Sequence, residues 1–368
     1  MASTAQADVA AALSLVMRPR IESQINNVAV LPYILPITRG EGKSVNWTAK
    51  FTGAANATAS TEGVARSSTD ADDEISVPAT LPWAQYDKTS SVTDLAQAAA
   101  GSNYNPESIQ AIGNDLLAGL AGDQAMRLAL GIATDCYAGN DGASPPQLAG
   151  AARIIDSSGT VCGINPSTFT EWASVEDTGA LAAVTFDVVR NWFTNIYNAC
   201  GMMPEFVTCP SNVFNALRAL YSDFDPSVRE VSTSRGGGMD GREPRAVKLA
   251  AGMRAIEIDQ VPFVLDRHCT ANTMYAWNTQ FVEIQQLDPL ASLLAQGPEG
   301  LNDLFSRIAG RTVTLPRQDI EGMMARSAGL RPHLNLLGKR GLSNEANIAV
   351  FAQFKWSRRN AFGKYTFA

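Results

Sequence analysis

The stretch GMRAIEIDQVPFVLDRHCTANTMYAWNTQFVEIQQL, Gly252–Leu287, alternates apolar and polar side chains over much of its length. Alternation of this kind predicts β-strands with one buried face. We expect three strands: AIEIDQVPFVLD, which Pro262 breaks, then TMYAWN and QFVEIQQL. The connection Asp266–Asn272 contains one of the chain's two histidines, His268, directly before Cys269. The stretch therefore predicts a sheet with a turn whose residues could carry chemistry.

A catalytic pair made of His268 and Cys269 would require the two side chains to meet. Neighbouring residues in an extended chain point in opposite directions, so adjacent residues rarely cooperate in this way. We expect instead a histidine in a turn and a cysteine in the core. A cytoplasmic cysteine hydrolase that uses Cys209 or Cys269 is the alternative from a different functional class.

Composition narrows the function classes. The 368 residues predict two compact domains or one large irregular one. Charged residues make up 18%, below the usual quarter of a soluble domain, which indicates surfaces that meet other protein or simply an Ala- and Gly-rich chain. The five cysteines form no C-x-x-C pair, which favours a reducing compartment. No apolar run is long enough to predict a membrane span.

The net charge of −7 argues against direct nucleic-acid binding by the whole chain, but the charge is uneven. The segment from Glu62 to Glu74 is acidic. Residues 311–368 carry ten Lys or Arg against three Asp or Glu. Near the C-terminus the basic residues alternate with aromatic ones, from Phe354 to Tyr365. This pattern predicts strands with aromatics inward and cations outward, or else a casual contact with nucleic-acid phosphates.

Motifs for cofactors and metals fail on spacing. The stretch GEGKS, Gly40–Ser44, lacks the first glycine of a phosphate loop and is followed by a strand-like segment instead of a helix. Two separated histidines and unpaired cysteines do not supply a metal site. We therefore expect no catalytic residue, no cofactor and no metal.

Several elements can be placed from local signals. Residues 43–94 predict a long two-stranded excursion that needs a surface to lie on, either a neighbouring subunit or its own domain. Residues 105–138 predict a long helix that Gly139 ends. A second helix should begin after the N-cap Thr185 and end at Gly201. The segment PEFVTCPSNVFNALRAL predicts a strand, a turn at the proline and a short helix.

These elements occur in an order that resembles the major capsid proteins of tailed bacteriophages, which have the Hong Kong 97-type fold. The resemblance rests on PEFVTCPSNVFNALRAL and on GMRAIEIDQVPFVLDRHCTANTMYAWN, and the order of elements extends it over nearly the whole chain. It implies an α+β fold made of the following segments: an N-terminal arm over residues 1–38, an E-loop hairpin over 39–92, a peripheral domain over 93–180 with a spine helix at 105–138, an axial domain over 181–310, and a return to the peripheral domain over 311–368.

The function implied is structural. Such subunits form the hexamers and pentamers of an icosahedral shell that encloses double-stranded DNA, and they assemble in the host cytoplasm into the virion. Only about twenty residues precede Ile21, so we expect a separate scaffolding protein, with a portal and possible decoration proteins as further partners. An encapsulin-type bacterial compartment shell is the alternative with the same fold.

The turn Asp266–Asn272 would then belong to the axial domain and have no catalytic role. We expect contacts between subunits from aromatic residues of the excursion, from its acidic middle, and from arginines of the 222–246 loop and the C-terminus. The candidates are Trp47, Phe51, Glu62, Asp70, Asp72, Asp73, Trp83, Arg235, Arg242, Arg358 and Arg359.

Overall fold

The computed structural model describes residues 30–51, 75–93, 116–220, 228–231, 254–288, 302–303, 306, 330, 333–340 and 343–368. The α-helices bounded within them are α1 Val30–Ile34, α2 Leu116–Ala138, α3 Ala151–Ile154, α4 Phe186–Cys200 and α5 Ser211–Ala219. The strands are β1 Ile37–Arg39, β2 Ser44–Phe51, β3 Ile75–Pro82, β4 Ala84–Thr93, β5 Val175–Gly179, β6 Phe206–Cys209, β7 Val228–Val231, β8 Ala255–Ile258, β9 Val261–Leu265, β10 Thr273–Trp277, β11 Val282–Leu287, β12 His333–Arg340, β13 Ser343–Trp356 and β14 Gly363–Phe367.

A five-stranded sheet is built around the long strand β13. One side of β13 pairs with β4 over ten residues, from Ser343 to Ala352. The other side pairs first with β12 and then with β11, and β1 adds to β11 in parallel. Strand β13 thus joins segments that lie far apart in sequence.

A mixed seven-stranded sheet has the order β5-β14-β10-β6-β9-β8-β7. Its central strands β6 and β10 are buried at every residue. Strands with no exposed face read as continuous apolar runs, which is why FVTC and TMYAW lack alternation. Aromatic rings link this sheet to the other one, because Trp277 of β10 stacks on Trp356 of β13 with ring centroids 5.6 Å apart.

Strands β2 and β3 form a separate antiparallel hairpin, from the pair Ser44–Pro82 to the pair Phe51–Ile75. The expected return strand of this excursion is not continuous. It changes partner at Trp83: residues 75–82 pair with β2, whereas residues 84–93 pair with β13. The returning strand of the excursion therefore passes directly into β4, at one edge of the five-stranded sheet.

The predicted break at Pro262 is wrong. The segment AIEIDQVPFVLD forms two strands, β8 and β9, and the turn lies at Asp259 and Gln260, whose φ angles are 50° and 68°. Two successive residues with positive φ are typical of a tight two-residue hairpin turn. Pro262 lies within β9 opposite Glu257.

The two C-terminal strands, β13 and β14, do not pair with each other. Strand β14 lies in the seven-stranded sheet, between β5 and β10. In the other direction, β11 comes from the segment 181–310 but lies in the five-stranded sheet. Each sheet therefore takes strands from several separate segments of the chain, and β14 lies in a different sheet from β13.

The local signals for α4 are confirmed. The Thr185 side chain accepts a hydrogen bond from the Val188 N–H, and Gly201 ends the helix in the left-handed conformation. Helix α2 is described from Leu116, ends at Ala138 as predicted, and buries Leu128 and Ile132. Residues 105–115 of that prediction lie outside the described residues. Among the described helices, none combines the length and apolar character that a membrane crossing requires.

Candidate functional site

The turn after β9 holds buried polar groups that bond to one another. Asp266 is 2% exposed, and its carboxylate accepts hydrogen bonds from the Tyr137 hydroxyl at 2.7 Å and from the His268 backbone N–H at 2.9 Å. Burial raises the pKa of the Asp266 carboxyl, although these two bonds act to lower it. Because Tyr137 belongs to α2, the carboxylate fastens this helix to the seven-stranded sheet.

The two nitrogens of the His268 ring contact Arg267 and Thr134. Its Nε2 accepts from Arg267 Nε at 2.9 Å, so the proton of the neutral ring lies on Nδ1, which faces Thr134 Oγ1 at 3.4 Å. Burial lowers the pKa of the His268 imidazole and favours this neutral form. The ring contacts the surface of α2, as a histidine in a structural turn would.

All five cysteines are buried and free: Cys136, Cys162, Cys200, Cys209 and Cys269. Burial raises the pKa of the Cys269 thiol well above its usual range, and its Sγ lies 3.3 Å from the Thr273 carbonyl oxygen. Burial also raises the pKa of Cys209. A nucleophilic cysteine requires the opposite shift, toward the thiolate, so neither thiol is set up for attack. Among the described residues, no group of His, Cys, Asp or Glu is placed to hold a metal ion.

The basic and aromatic residues near the C-terminus largely follow the strand interpretation. Phe354, Trp356, Phe362 and Tyr365 are buried. Lys355 forms an ion pair with Glu283 at 2.8 Å, and Lys364 pairs with Glu176. Two of the cations that could meet phosphate are thus matched within their own chain.

The two arginines at positions 358 and 359 have opposite environments. Arg358 is exposed and lies over the Phe281 ring at 5.6 Å. Arg359 has no exposed surface and donates to the backbone carbonyls of Ile154, Asp156 and Gly159. The expectation that Arg359 contacts another subunit is therefore wrong, because its own chain encloses the guanidinium.

The β2–β3 hairpin has two unlike faces. Val45 and Ala49 are buried, and Trp47 between them packs half-buried against the core. The opposite face is polar and exposed at Asn46 and Thr48. The part of the hairpin nearest the sheet thus packs on its own domain. The sequence alone had allowed either this surface or that of a neighbouring subunit.

Trp83 marks the root of the hairpin, where β3 becomes β4. Its indole Nε1 donates to the Gly42 carbonyl at 3.0 Å, so the ring bridges the two strands where they leave the sheet. The remaining contact candidates cannot be placed in this way. The Phe51 side chain and the residues Glu62, Asp70, Asp72, Asp73, Arg235 and Arg242 lie outside the described residues.

Sequence reasoning missed Gln353, a fully buried amide in β13 next to this root. Gln353 directly precedes the inward-facing Phe354 in the strand. The alternation of the strand therefore predicted that the Gln353 side chain would be exposed. The segment around Ala149 covers it and donates a hydrogen bond to its Oε1 at 2.8 Å. Only knowledge of that long-range packing could have identified it.

Comparison with known proteins gives a likeness in structure. No protein-family model and no curated protein matches the sequence. The capsid asymmetric unit of cyanophage A-1(L) superposes with a TM-score of 0.63 at 14% identity, over 93% of this chain and 94% of that chain. The capsid of an empty GTA particle gives a TM-score of 0.50 at 14% identity, over 92% and 90% of the two chains. The chain therefore has the mixed α and β, Hong Kong 97-type fold of phage capsid proteins that its sequence resembles.

Proposed function

We propose that this chain is the major capsid protein of a tailed bacteriophage, a structural subunit without enzymatic activity. The observation that carries the proposal is the likeness to the cyanophage capsid subunit over more than nine-tenths of both chains. A match of this extent is not confined to one common motif. The buried, protonated thiols and the structural role of the 266–272 turn support the same conclusion.

In this proposal, subunits join as hexamers and pentamers into an icosahedral shell around double-stranded DNA. Residues 39–92 act as the E-loop, 105–138 as the spine helix, 181–310 as most of the axial domain, and 1–38 as the N-terminal arm. The hairpin supplies contacts between neighbours through the face that its own domain leaves exposed, at Asn46 and Thr48. Trp47, Trp83 and Arg358, each with part of the side chain accessible, are our candidates for these contacts.

The further partners are a separate scaffolding protein, a portal and possible decoration proteins. Contact with the packaged DNA would be unspecific and made through phosphates. A net charge of −7 supports weak contact, because strong binding to DNA requires an excess of Lys and Arg. Assembly would take place in the host cytoplasm and the finished protein would reside in the virion.

Negative-stain electron microscopy tests the proposal most directly. The protein would be expressed alone and together with any small protein encoded just upstream. We expect closed particles, tubes or capsomer rings in at least one of the two samples. Monomers in both samples would contradict the proposal. Particles purified from infected cells should contain nuclease-protected double-stranded DNA, and a protein cargo instead would indicate a compartment shell.

A further inference from the structure

The β2–β3 hairpin leaves the five-stranded sheet through two strands that are both held at their base. On the outgoing strand, the Gly40 N–H donates to the Gln286 carbonyl of β11 at 2.8 Å. On the returning strand, Ala84 pairs with Ala352 of β13. Between these points and the hairpin lie only Glu41–Lys43 on one side and Trp83 on the other, so contacts at this root act directly on the first pairs of the hairpin.

Trp83 fixes the two strands to each other. Its ring fills the space beside Gly40, where an added Cβ would lie 2.2 Å from the indole Cη2. Only glycine leaves room for the ring at that position. The indole Nε1 reaches past Gly40 to the Gly42 carbonyl, and Gly42 has a φ of +85° that favours glycine. Trp83 thus packs against Gly40 and bonds to Gly42, and both contacts depend on glycine at these positions.

Gln353 fixes the returning strand to the sheet. Its Nε2 donates to the Pro82 carbonyl at 2.7 Å and to the Gln147 carbonyl at 3.2 Å. Its Oε1 accepts from the backbone N–H groups of Ala149 at 2.8 Å and Phe354 at 3.0 Å. A side-chain amide offers two donor hydrogens and two acceptor lone pairs, and all four are used here. This buried amide therefore joins the hairpin, the 147–149 segment and β13 at one point.

We propose that Gln353 and Trp83 are positioning residues that set the direction of the β2–β3 hairpin relative to the five-stranded sheet. The inference rests on the proposed function, in which this hairpin contacts a neighbour. The eight residues of β2 span about 26 Å at about 3.3 Å per residue. A rotation of about 10° at the root would move the far end by roughly 4–5 Å, enough to break a specific packing contact. The two residues thus link the geometry of the root to the curvature of the assembled shell.

The test compares two root variants with a matched control. Gln353→Met keeps the volume but removes all four hydrogen bonds, and Trp83→Phe keeps a ring but loses the bond to Gly42. The control is Thr208→Val. It removes a buried hydroxyl that accepts from Trp277 Nε1 at 2.9 Å, within the seven-stranded sheet. Should Gln353→Met fail to fold, Trp83→Phe still tests the root.

Hydrogen exchange of the unassembled subunit is the first measurement. We expect amide exchange in β2 and β3 to rise about tenfold in both root variants and to stay unchanged in Thr208→Val. Unchanged exchange in the hairpin of both root variants would overturn the inference, as would an equal rise in Thr208→Val. This readout does not depend on assembly, so a wild-type chain that forms no particles would count against the proposed function alone.

Particle geometry is the second measurement. Electron microscopy should show particles of altered diameter, or tubes, for Gln353→Met and Trp83→Phe. The Thr208→Val control should give particles of wild-type diameter even where its melting temperature falls equally. If both root variants gave particles of wild-type diameter, the direction of the hairpin would not determine the curvature of the shell, and the inference would be refuted.

Discussion

At the scale of single residues, Arg359 has an unusual environment for its type. Arginine is rarely buried without a carboxylate partner, yet this guanidinium bonds to three carbonyls of the 154–159 loop and lies over the Trp172 ring at 5.6 Å. Burial lowers its pKa to about 10, so it stays charged at neutral pH. Sequence reasoning placed it outside because nothing near it in sequence indicates that a loop some 200 residues away encloses it.

Replacing Arg359 with lysine tests this role. An ammonium group cannot reach three carbonyls that are spaced for a planar fork, so we expect Arg359→Lys to lower the free energy of unfolding by about 2–3 kcal/mol. Arg358→Lys is the matched control, because Arg358 is exposed and this substitution should change the free energy of unfolding by less than about 0.5 kcal/mol. Urea unfolding measures both, and equal losses would contradict the enclosed role of Arg359.

The cysteines allow a second test at this scale. Since all five thiols are buried and burial raises the pKa of Cys136, Cys162, Cys209 and Cys269, the folded protein should react slowly with a thiol reagent at pH 7.5. In denaturant all five should react at once. One thiol that reacts rapidly in the folded protein, with loss of an activity in His268→Ala, would favour the hydrolase alternative.

At the scale of elements, the predictions that succeeded were those that depended on residues close together in sequence. Helix α4 was predicted with both ends because Thr185 and Gly201 act on the helix they flank. The β8–β9 turn was misplaced because Asp259–Gln260 lacks the Asn-Gly or Asp-Gly pair that usually marks such turns, while Pro262 nearby suggested a break. The pairing partners of β13 and β14 could not be predicted, since strands that alternate alike can join either sheet.

The β8–β9 turn offers a stabilising substitution. Gln260 is exposed and holds a φ of 68°, which costs a residue with a Cβ about 1 kcal/mol relative to glycine. Asp259 should be kept, because its carboxylate pairs with Arg190 at 2.9 Å. We expect Gln260→Gly to raise the free energy of unfolding by about 0.5 kcal/mol, after the extra entropy of the unfolded glycine. Gln260→Ala should give no gain, and thermal unfolding of the two variants would show the difference.

At the scale of the whole molecule, the two sheets are interleaved. Strand β11 enters the five-stranded sheet from a segment expected in the axial domain, and β14 enters the seven-stranded sheet from the last segment. One continuous apolar core joins them, with Trp277, Trp356 and Phe362 at the junction. Among the described strands the hairpin pairs only within itself, although Val45 and Leu81 bury their side chains in the same core.

This separation leads to a prediction for the proposed shell. A chain lacking residues 54–74 should keep its fold, because the removed residues lie beyond the β2–β3 pairs, but it should assemble poorly. Circular dichroism and thermal unfolding would check the fold, and negative-stain microscopy the assembly. A chain lacking 232–246 serves as a comparison, because this deletion leaves both β7 and β8 in place. Normal closed shells from the 54–74 deletion would count against an assembly role for the hairpin.

The position of β14 has a consequence for how the chain is made. Among the described strands β5 pairs only with β14, and β14 separates it from β10. A ribosome must therefore synthesise β6 to β13 before β5 finds its partner. The nascent chain can form hairpins early, but its seven-stranded sheet stays divided until β14 emerges. A subunit that is still being translated thus cannot join the proposed shell in its finished form, and a chain cut short before Gly363 would leave β5 exposed to aggregation.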